Sequence, residues 1–274
     1  MKLQDKVALI TGGAQGLGKS IALAMAKEGA DIVICDINEM TLPGAAREIE
    51  ALGRKCLGVR CDVSSSESVG QMYEQIVKEF GTLHILVNNA ALVQSGPVIE
   101  ERRTRFYAMM TKPVPKQSLG VTKDLSDEEW HHYWGVNVHG VFYCTRGALK
   151  LMEEQKYGKI VNISSIAGIG GFSAFQPSYC ATKGAVLAFT RSVAIEVAGS
   201  NIYVNAIAAG GILTPPMEAY LSQCSEEERN SLHQLIPLGR LGRPEEYASL
   251  AVYLASDEHY LVGQTISPNG GVIV

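Results

Sequence analysis

Short apolar runs of strand length alternate with segments of helical periodicity along almost the whole chain. The first apolar run, residues 7–10, is followed by helical spacing at residues 19–28 and by a second apolar run at residues 32–35. Strands that are apolar throughout are typical of parallel sheets, because helices cover both faces of such a sheet. The pattern predicts a single α/β domain over residues 1–274, doubly wound around a parallel sheet of about seven strands.

The second half of the chain repeats this alternation and adds two helix-start signals. Ser126 and Glu129 have the spacing of a capping box and predict a helix that runs to Met152, and Pro244 is placed to open another helix. The other helices are predicted at residues 41–52, 65–80 and 178–198. The remaining strands are predicted at residues 57–61, 85–87, 160–163, 204–207 and 265–267.

Charge and cysteine content disfavour several classes of function. The chain has 24 basic and 28 acidic residues and a net charge of -4, so it lacks the broad cationic surface that binds nucleic acids. No apolar stretch approaches the roughly 20 residues of a membrane span, and the N-terminus does not resemble a signal peptide. The six cysteines have neither metal-site spacing nor the density of a disulfide scaffold. We expect a cytoplasmic protein with no metal, no nucleic-acid partner and no membrane association.

A glycine-rich turn connects the first predicted strand to the first predicted helix. Gly12, Gly16 and Gly18 are spaced as G-x-x-x-G-x-G within residues 11–18. A strand-turn-helix unit of this kind lets the backbone approach a pyrophosphate and directs the helix N-terminus at its charge. A simple tight turn is the alternative interpretation. The cofactor interpretation is favoured because Asp36 ends the second predicted strand, close to the ~20 residues expected downstream.

Asp36 also bears on the choice between NAD and NADP. A carboxylate at this point can accept hydrogen bonds from the adenosine ribose hydroxyls and repels a 2′-phosphate. No Arg or Lys lies within residues 12–18 to neutralise such a phosphate, and Ile37 follows the carboxylate. The alternative is that Asp36 only begins the next helix. The pattern predicts NAD.

Tyr179 and Lys183 are four residues apart and therefore lie on one face of a predicted helix. A free phenol has a pKa near ~10 and is a poor base at neutral pH until a positive charge stabilises the phenolate. Ser164 and Ser165 end the fifth predicted strand, at the edge where ligands bind in open α/β sheets. A Y-x-x-x-K spacing alone is a weak signal, but together these residues predict a proton-transfer site.

Six short motifs, in this order, resemble those of the short-chain dehydrogenase/reductase family over nearly the whole chain. They are residues 11–18, Cys61-Asp62-Val63, Asn88-Asn89-Ala90, Asn137-Val138, residues 162–165 and residues 179–183. The resemblance implies a Rossmann-type fold and an NAD-dependent enzyme that acts on a secondary alcohol or ketone. It also implies a homo-oligomer, with a tetramer as the expected state, and the apolar C-terminal run 270–274 favours a partner surface that covers it.

The resemblance further implies a role for each matching residue. Tyr179 is the implied general acid/base, Lys183 lowers the pKa of Tyr179 and holds the nicotinamide ribose, and Ser165 binds the reacting oxygen. Ser165 is preferred over Ser164 for this role, and Asn137 is expected to position a water in the proton relay. The implied cofactor-binding residues are Gly12, Gln15, Gly16, Leu17, Gly18, Asp36, Asp62, Val63, Asn89, Tyr179, Lys183, Ile212 and Thr214.

Residues 92–125 interrupt the regular alternation. They show no sustained period and concentrate basic residues, among them Arg102, Arg103 and Arg105. The stretch is predicted to be an irregular insertion of the kind that often serves as a lid or is mobile. One hypothesis is that its arginines hold an anionic substrate group, since a guanidinium binds carboxylate or phosphate bidentately. The alternative is a solvated charged loop or a subunit contact.

The substrate side is expected to come from loops beyond the strand ends, including a substrate loop at residues 213–235. Apolar candidates for its wall, which core packing explains equally well, are Phe172, Phe175, Met217, Tyr220 and Leu221. Sugars, steroids and acyl thioesters all stay open as substrates. A catalytically silent NAD-binding protein on the same fold is disfavoured by the intact catalytic residues. An epimerase of the extended type is disfavoured because the chain lacks the extra C-terminal domain.

Overall fold

The predicted strands form one parallel sheet. The computed structural model describes residues 1–93, 96–170 and 173–274. Its strands are β1 (Val7–Thr11), β2 (Asp31–Asp36), β3 (Cys56–Arg60), β4 (Ile85–Asn88), β5 (Gly158–Ser165), β6 (Ile202–Ala209) and β7 (Thr265–Ile266). They pair in the order β3-β2-β1-β4-β5-β6-β7, and every pairing is parallel. The predicted doubly wound fold and its seven strands are confirmed.

Helices connect the strands and cover both faces of the sheet. They are α1 (Gly16–Lys27), α2 (Leu42–Glu50), α3 (Ser66–Phe80), α4 (Pro97–Thr111), α5 (Asp127–Trp134), α6 (Gly140–Gln155), α7 (Pro177–Val197), α8 (Pro215–Gln223), α9 (Glu226–Gln234) and α10 (Pro244–Ala255). Helices α1, α2 and α10 contribute to the core on one face, and α3, α6 and α7 to the core on the other. Ile10 belongs to the first core and its neighbour Leu9 to the second. Since successive strand residues point to opposite faces, strands between two such cores have to be apolar throughout.

The direction of the strand order reverses between β1 and β4. The chain moves outward from β1 through β2 to β3, and then crosses to β4 on the other side of β1 before it continues to β7. In open α/β sheets such a reversal leaves a crevice at the carboxyl ends of the two strands, because their following segments turn to opposite sides. Ligand binding is therefore expected beyond Thr11 and Asn88, the last residues of β1 and β4.

The prediction that residues 92–125 are irregular is wrong over α4, which is a helix of 15 residues. Pro97 lies in its first turn, where a missing N–H removes no helical hydrogen bond. Only Ile99 and Phe106 are buried within it, so the sequence has no apolar stripe that periodicity can reveal. The ring of Phe106 packs against that of Phe175, with centroids 5.8 Å apart. Tertiary contacts thus stabilise a helix that its own pattern does not predict.

The prediction of a substrate loop at residues 213–235 is also corrected, because the segment contains the two short helices α8 and α9. Pro215 opens α8 in the first-turn position that suits proline. Ser225 caps α9 and forms a complete capping box with Glu228, in which each side chain bonds the backbone of the other. This S-x-x-E spacing is a helix-start signal that was present in the sequence.

The helix predicted from Ser126 to Met152 is interrupted. The Ser126 hydroxyl accepts a hydrogen bond from the Glu129 N–H, as the spacing predicts. After α5 the chain forms a π-helical turn at Gly135–His139, and α6 then continues to Gln155. Single π turns are frequent at functional sites. This one contains the buried Asn137.

The apolar C-terminal run is bound to its own chain. The Asn269 side-chain amide donates to the carbonyl of Ile273 at 2.9 Å, and its oxygen accepts the N–H groups of Gly271 and Ile273. Val272 lines the cavity that contains Tyr179, while Val274 is exposed. Hydrogen bonds within the chain therefore hold this tail, so its apolar character alone does not call for the expected tetramer.

Three further features concern the membrane, disulfides and metals. Within the described ranges, no helix has both the length and the apolar character that a bilayer crossing requires. All six cysteines are free. Over the same part of the chain, no cluster of three or more His, Cys, Asp or Glu side chains is placed to hold a metal ion.

Candidate active site

The glycine-rich turn is a close-packed unit with an open helix end. Gly12 and Gly16 have positive φ angles of 61° and 54°, and a Cβ at Gly18 would lie 2.1 Å from the carbonyl oxygen of Gly12. Gln15, the N-cap of α1, makes no side-chain capping hydrogen bond. The first backbone N–H groups of a helix have no partner within the helix, so those of Gly16 and Leu17 can bind an anion.

Side-chain hydrogen bonds fix this turn to the end of β4. The Thr11 hydroxyl accepts the backbone N–H groups of Asn89 and Ala90, both at 3.0 Å. In return, the Asn89 amide donates to the carbonyls of Thr11 at 2.9 Å and Gly12 at 3.1 Å. The expected cofactor residue Asn89 therefore shapes the turn with its side chain. Thr11 was missed as a positioning residue, although a hydroxyl at the end of a buried strand was the available signal.

Gly18→Ala is expected to weaken cofactor binding by at least ~tenfold, about 1.4 kcal/mol. The added Cβ would lie 2.5 Å from Asn89 Nδ2 as well as against the Gly12 carbonyl, so the turn must move. The matched control is Gly70→Ala in α3, where nothing lies within 4 Å of an added Cβ. That control is expected to keep cofactor affinity and to gain up to ~1 kcal/mol of stability. NADH fluorescence titrations and thermal melts measure both, and unchanged NADH affinity in Gly18→Ala would contradict a cofactor role for the turn.

The two carboxylates among the expected cofactor-binding residues follow neighbouring strands at the carboxyl edge of the sheet. Asp36 ends β2 and Asp62 follows β3, and each accepts a hydrogen bond from the backbone N–H two residues downstream. Val63, next to Asp62, is buried. Arg60 pairs in register with Asp36, a neighbour that sequence motifs do not reveal because it depends on how β3 pairs with β2. Its guanidinium lies 3.9 Å from the Glu39 carboxylate, and both side chains are exposed.

The structure brings Ser165, Tyr179 and Lys183 together in one cavity of about 390 Å³. The Ser165 hydroxyl lies near the Tyr179 hydroxyl and lowers the pKa of that phenol. Lys183 Nζ donates to the Ile163 carbonyl at 2.8 Å and lies 5.7 Å from the centre of the Tyr179 ring. Because β5 ends at the carboxyl edge and α7 passes over it, three groups with proton-transfer chemistry line the same cavity.

Ser164 and Ser165 point to opposite sides of β5 and have different partners. The Ser164 hydroxyl is buried and donates to the backbone carbonyl of Lys183 at 2.9 Å, which anchors α7 to the strand. The Ser165 hydroxyl accepts the Ala167 N–H at 3.1 Å and lies near the Tyr179 hydroxyl, whose pKa it lowers. The geometry thus favours Ser165 over Ser164 as the group that meets a reacting oxygen.

Burial controls the protonation of Tyr179 and Lys183. Burial raises the pKa of Tyr179 to about 12, and the nearby Ser165 hydroxyl opposes that rise. Burial lowers the pKa of Lys183 to about 8, since an ammonium is disfavoured away from water. The resemblance implied that Lys183 lowers the pKa of Tyr179, whereas in this structure burial dominates. The phenol is therefore protonated at neutral pH.

Asn137 connects the segment after β4 to the catalytic helix. Its side-chain oxygen accepts the Leu92 N–H at 2.7 Å, and its amide donates to the Leu92 carbonyl and to the Thr182 hydroxyl, both at 3.2 Å. The side chain is thus a positioning group for the wall of the cavity and for α7. Its role in a proton relay stays a prediction.

The predicted wall residues fall into three groups. Phe175 and Met217 line the cavity, Tyr220 and Leu221 are not among its described lining residues, and Phe172 lies outside the described residues. Further apolar lining residues come from α9 and beyond, and sequence reasoning missed them: Leu232, Leu235, Ile236, Leu241 and Val272. The expected cofactor residues Ile212 and Thr214 also line the cavity. A larger cleft of about 750 Å³ between α3 and α6 contains none of the predicted site residues.

Comparison with known proteins agrees with this geometry. The family model described as short chain dehydrogenase matches residues 6–225. The 3-oxoacyl-(acyl-carrier-protein) reductase FabG of Thermotoga maritima is 35% identical over 100% of both chains. Subunit BbsD of the (2S)-((R)-hydroxy(phenyl)methyl)succinyl-CoA dehydrogenase of Thauera aromatica is 34% identical over 99% of this chain and 98% of its own. A solved short-chain type dehydrogenase/reductase from Mycobacterium marinum has a TM-score of 0.81 and 32% identity, over 99% of this chain and 96% of that one.

Proposed function

Because this chain belongs to the short-chain dehydrogenase/reductase family, we propose that it transfers a hydride between NAD and a secondary alcohol or ketone, with Tyr179 as general acid/base. The family is one of oxidoreductases that use nicotinamide cofactors. The observation that carries the proposal is that Ser165, Tyr179 and Lys183 line one cavity, in which Ser165 lies near the Tyr179 hydroxyl. A protein that only binds the cofactor has no need for this arrangement.

The residues present fit a nicotinamide dinucleotide. The uncapped N-terminus of α1 suits a pyrophosphate, and the Asp36 carboxylate at the end of β2 suits ribose hydroxyls. The space next to Gly16 is open: the one atom of the described chain within 4 Å of a Cβ built there is the Thr214 methyl, at 3.9 Å. A ligand can therefore approach the backbone at this point. When it is bound, the cofactor supplies or accepts the hydride.

The chain's own residues handle the proton. Tyr179 donates its hydroxyl proton to the oxygen of a ketone during reduction, and in the reverse direction its phenolate form takes the proton of an alcohol. Ser165, which lines the same cavity, binds the same substrate oxygen. With the pKa of Tyr179 at about 12, the phenol is in its donating form at neutral pH. Lys183 Nζ is held by the Ile163 carbonyl within the same cavity.

The cavity wall favours a substrate with an apolar body. Its described lining is rich in apolar side chains, among them Phe175, Met217 and Leu232. A polyhydroxylated sugar would leave many hydroxyl groups without hydrogen-bond partners against such a wall. The named relatives act on a 3-oxoacyl group and on a hydroxyl-bearing acyl-CoA. We extend this to the present chain as a ketone or hydroxyl group on an acyl or arylalkyl skeleton.

Tyr179→Phe is expected to lower turnover at least ~1000-fold, because the variant has no hydroxyl to transfer the proton. Its NADH affinity is expected to stay within about twofold of the wild type, since the glycine-rich turn and Asp36 are unchanged. A screen of NAD reduction over secondary alcohols identifies a substrate, and the same assay with NADH titrations compares the two proteins. If NADH binding fell as far as activity, Tyr179 would have a structural role. If both proteins bound NADH and neither turned over, the protein would be a cofactor-binding module.

The wild type is expected to be more efficient with NAD than with NADP, because the Asp36 carboxylate repels a 2′-phosphate. Asp36→Asn is expected to reduce the NAD to NADP ratio of kcat/KM by about tenfold or more. Arg60→Gln is the companion variant, because Arg60 is the cation in register with Asp36. If Arg60 bound the 2′-phosphate, this variant would lower kcat/KM with NADP. Steady-state kinetics with both cofactors test this, and equal or greater wild-type efficiency with NADP would refute it.

We also propose that the chain assembles as a homotetramer. The support comes from the family, whose members commonly form oligomers, and from Phe142 on α6 and Ile195 on α7, which are exposed apolar side chains. Sedimentation velocity at micromolar concentration is expected to give four times the chain mass. A monomer under these conditions would reject the assembly.

A further inference from the structure

Arg103 is a cation in the cavity wall without an anionic partner. It projects from α4 and lines the same cavity as Tyr179. Its guanidinium carbon lies 3.7 Å from the centre of the Tyr220 ring, a cation–π contact that holds the side chain in place. Its Nε atom is buried and has no hydrogen-bond partner, and no acidic residue in the described part of the chain forms an ion pair with it. Buried donors are rarely left unpaired, so this one is a candidate to meet a ligand.

The cavity as a whole carries positive charge. Its described lining contains two basic residues, Arg103 and Lys183, and no Asp or Glu. Lys183 Nζ already donates to the Ile163 carbonyl, whereas the Arg103 Nε–H is open. Most of the remaining wall is apolar, so it supplies little to balance the charge of Arg103. An anionic group on the substrate would neutralise this positive charge.

Arg103 differs from the other two arginines of α4 in that it lines the cavity. Arg103 and Tyr107 are four residues apart on one face of α4, and both line the cavity. Arg105 is exposed, and Arg102 is not among the described lining residues. Burial raises the pKa of Tyr107, and the charge of Arg103 opposes that rise, which is consistent with the two side chains lying close together.

We propose that Arg103 binds a carboxylate of the substrate while the reacting oxygen lies at Tyr179. This rests on the proposed function and narrows its substrate to hydroxy and oxo carboxylic acids with an apolar skeleton. A carboxylate is favoured over a phosphate because its single charge balances one guanidinium, and its two oxygens match the planar fork of N–H donors. At the Arg103 end of the cavity, a phosphate dianion would carry one negative charge more than the single guanidinium there balances.

Binding experiments test the site without relying on turnover. Straight-chain carboxylates of four to ten carbons and their primary amides are titrated against the full chain by calorimetry. The wild type is expected to bind the best carboxylate at least ~tenfold more tightly than its amide, as a hydrogen bond to a charged group allows. Arg103→Gln is expected to abolish this preference, Arg103→Lys to retain part of it, and Arg105→Gln, the matched control on the same helix, to retain all of it.

Equal binding of carboxylate and amide by the wild type, or no binding of any carboxylate at millimolar concentration, overturns the inference. A preference that persists in Arg103→Gln overturns it as well.

Turnover then separates this inference from the proposed function. Oxo acids are compared with their methyl esters, and Arg103→Gln is expected to raise KM for the acids roughly 10- to 100-fold with little change in kcat or in the kinetics of the esters. If the wild type reduces neutral ketones in a Tyr179-dependent reaction and does not prefer acids, the carboxylate site is wrong and the proposed function stands. If carboxylates bind through Arg103 and no ketone or alcohol is turned over, the proposed function is wrong and the anion site stands.

Discussion

The hydrogen bonds between Thr11 and Asn89 are the constraint on which both halves of the site depend. They join the ends of β1 and β4, the two strands between which the sheet order reverses. At such a reversal the chain segments that follow the two strands turn to opposite sides, so their backbone groups cannot pair with each other as they do within a sheet. The Thr11 hydroxyl and the Asn89 amide supply those missing partners. They thereby hold the turn at Gly12 in one shape and leave the crevice beside it open.

A second set of hydrogen bonds, made by Asn137, connects the end of β4 to the catalytic helix α7. The chain that leaves β4 reaches Leu92, whose N–H and carbonyl are both held by the Asn137 side chain. The same amide donates to Thr182, one residue before Lys183 on α7. The π turn that contains Asn137 makes this geometry possible, because an extra residue in a helical turn shifts the direction of its side chains. Through these contacts the end of β4, the π turn and α7 are placed relative to one another.

The sheet and the central site residues could be predicted because their signals are local. A strand buried on both faces is apolar over its whole length, and the residues around Tyr179 and Gly12 form short motifs of fixed spacing. The parts that were missed depend on contacts between distant segments. Helix α4 is stabilised by two buried residues and a ring contact with Phe175, so its own sequence has no helical stripe. Arg60 becomes a neighbour of Asp36 only through the register of β3 on β2, and Val272 reaches the cavity only because the C-terminal tail folds back.

Burial affects the ionisable groups of the cavity wall in different ways. Tyr179 and Lys183 can adapt to burial by favouring their neutral forms, which is the direction in which the pKa of each is shifted. An arginine cannot adapt in this way, since its guanidinium stays protonated at any pH that a protein tolerates. The charge of Arg103 therefore persists in the same cavity wall, and the Tyr220 ring offsets only part of the cost of burying it. At the catalytic end of the cavity, Tyr179 and Lys183 reduce the cost of burial by shifting toward their neutral forms. At the other end, the charge of Arg103 can be neutralised only by an anionic ligand.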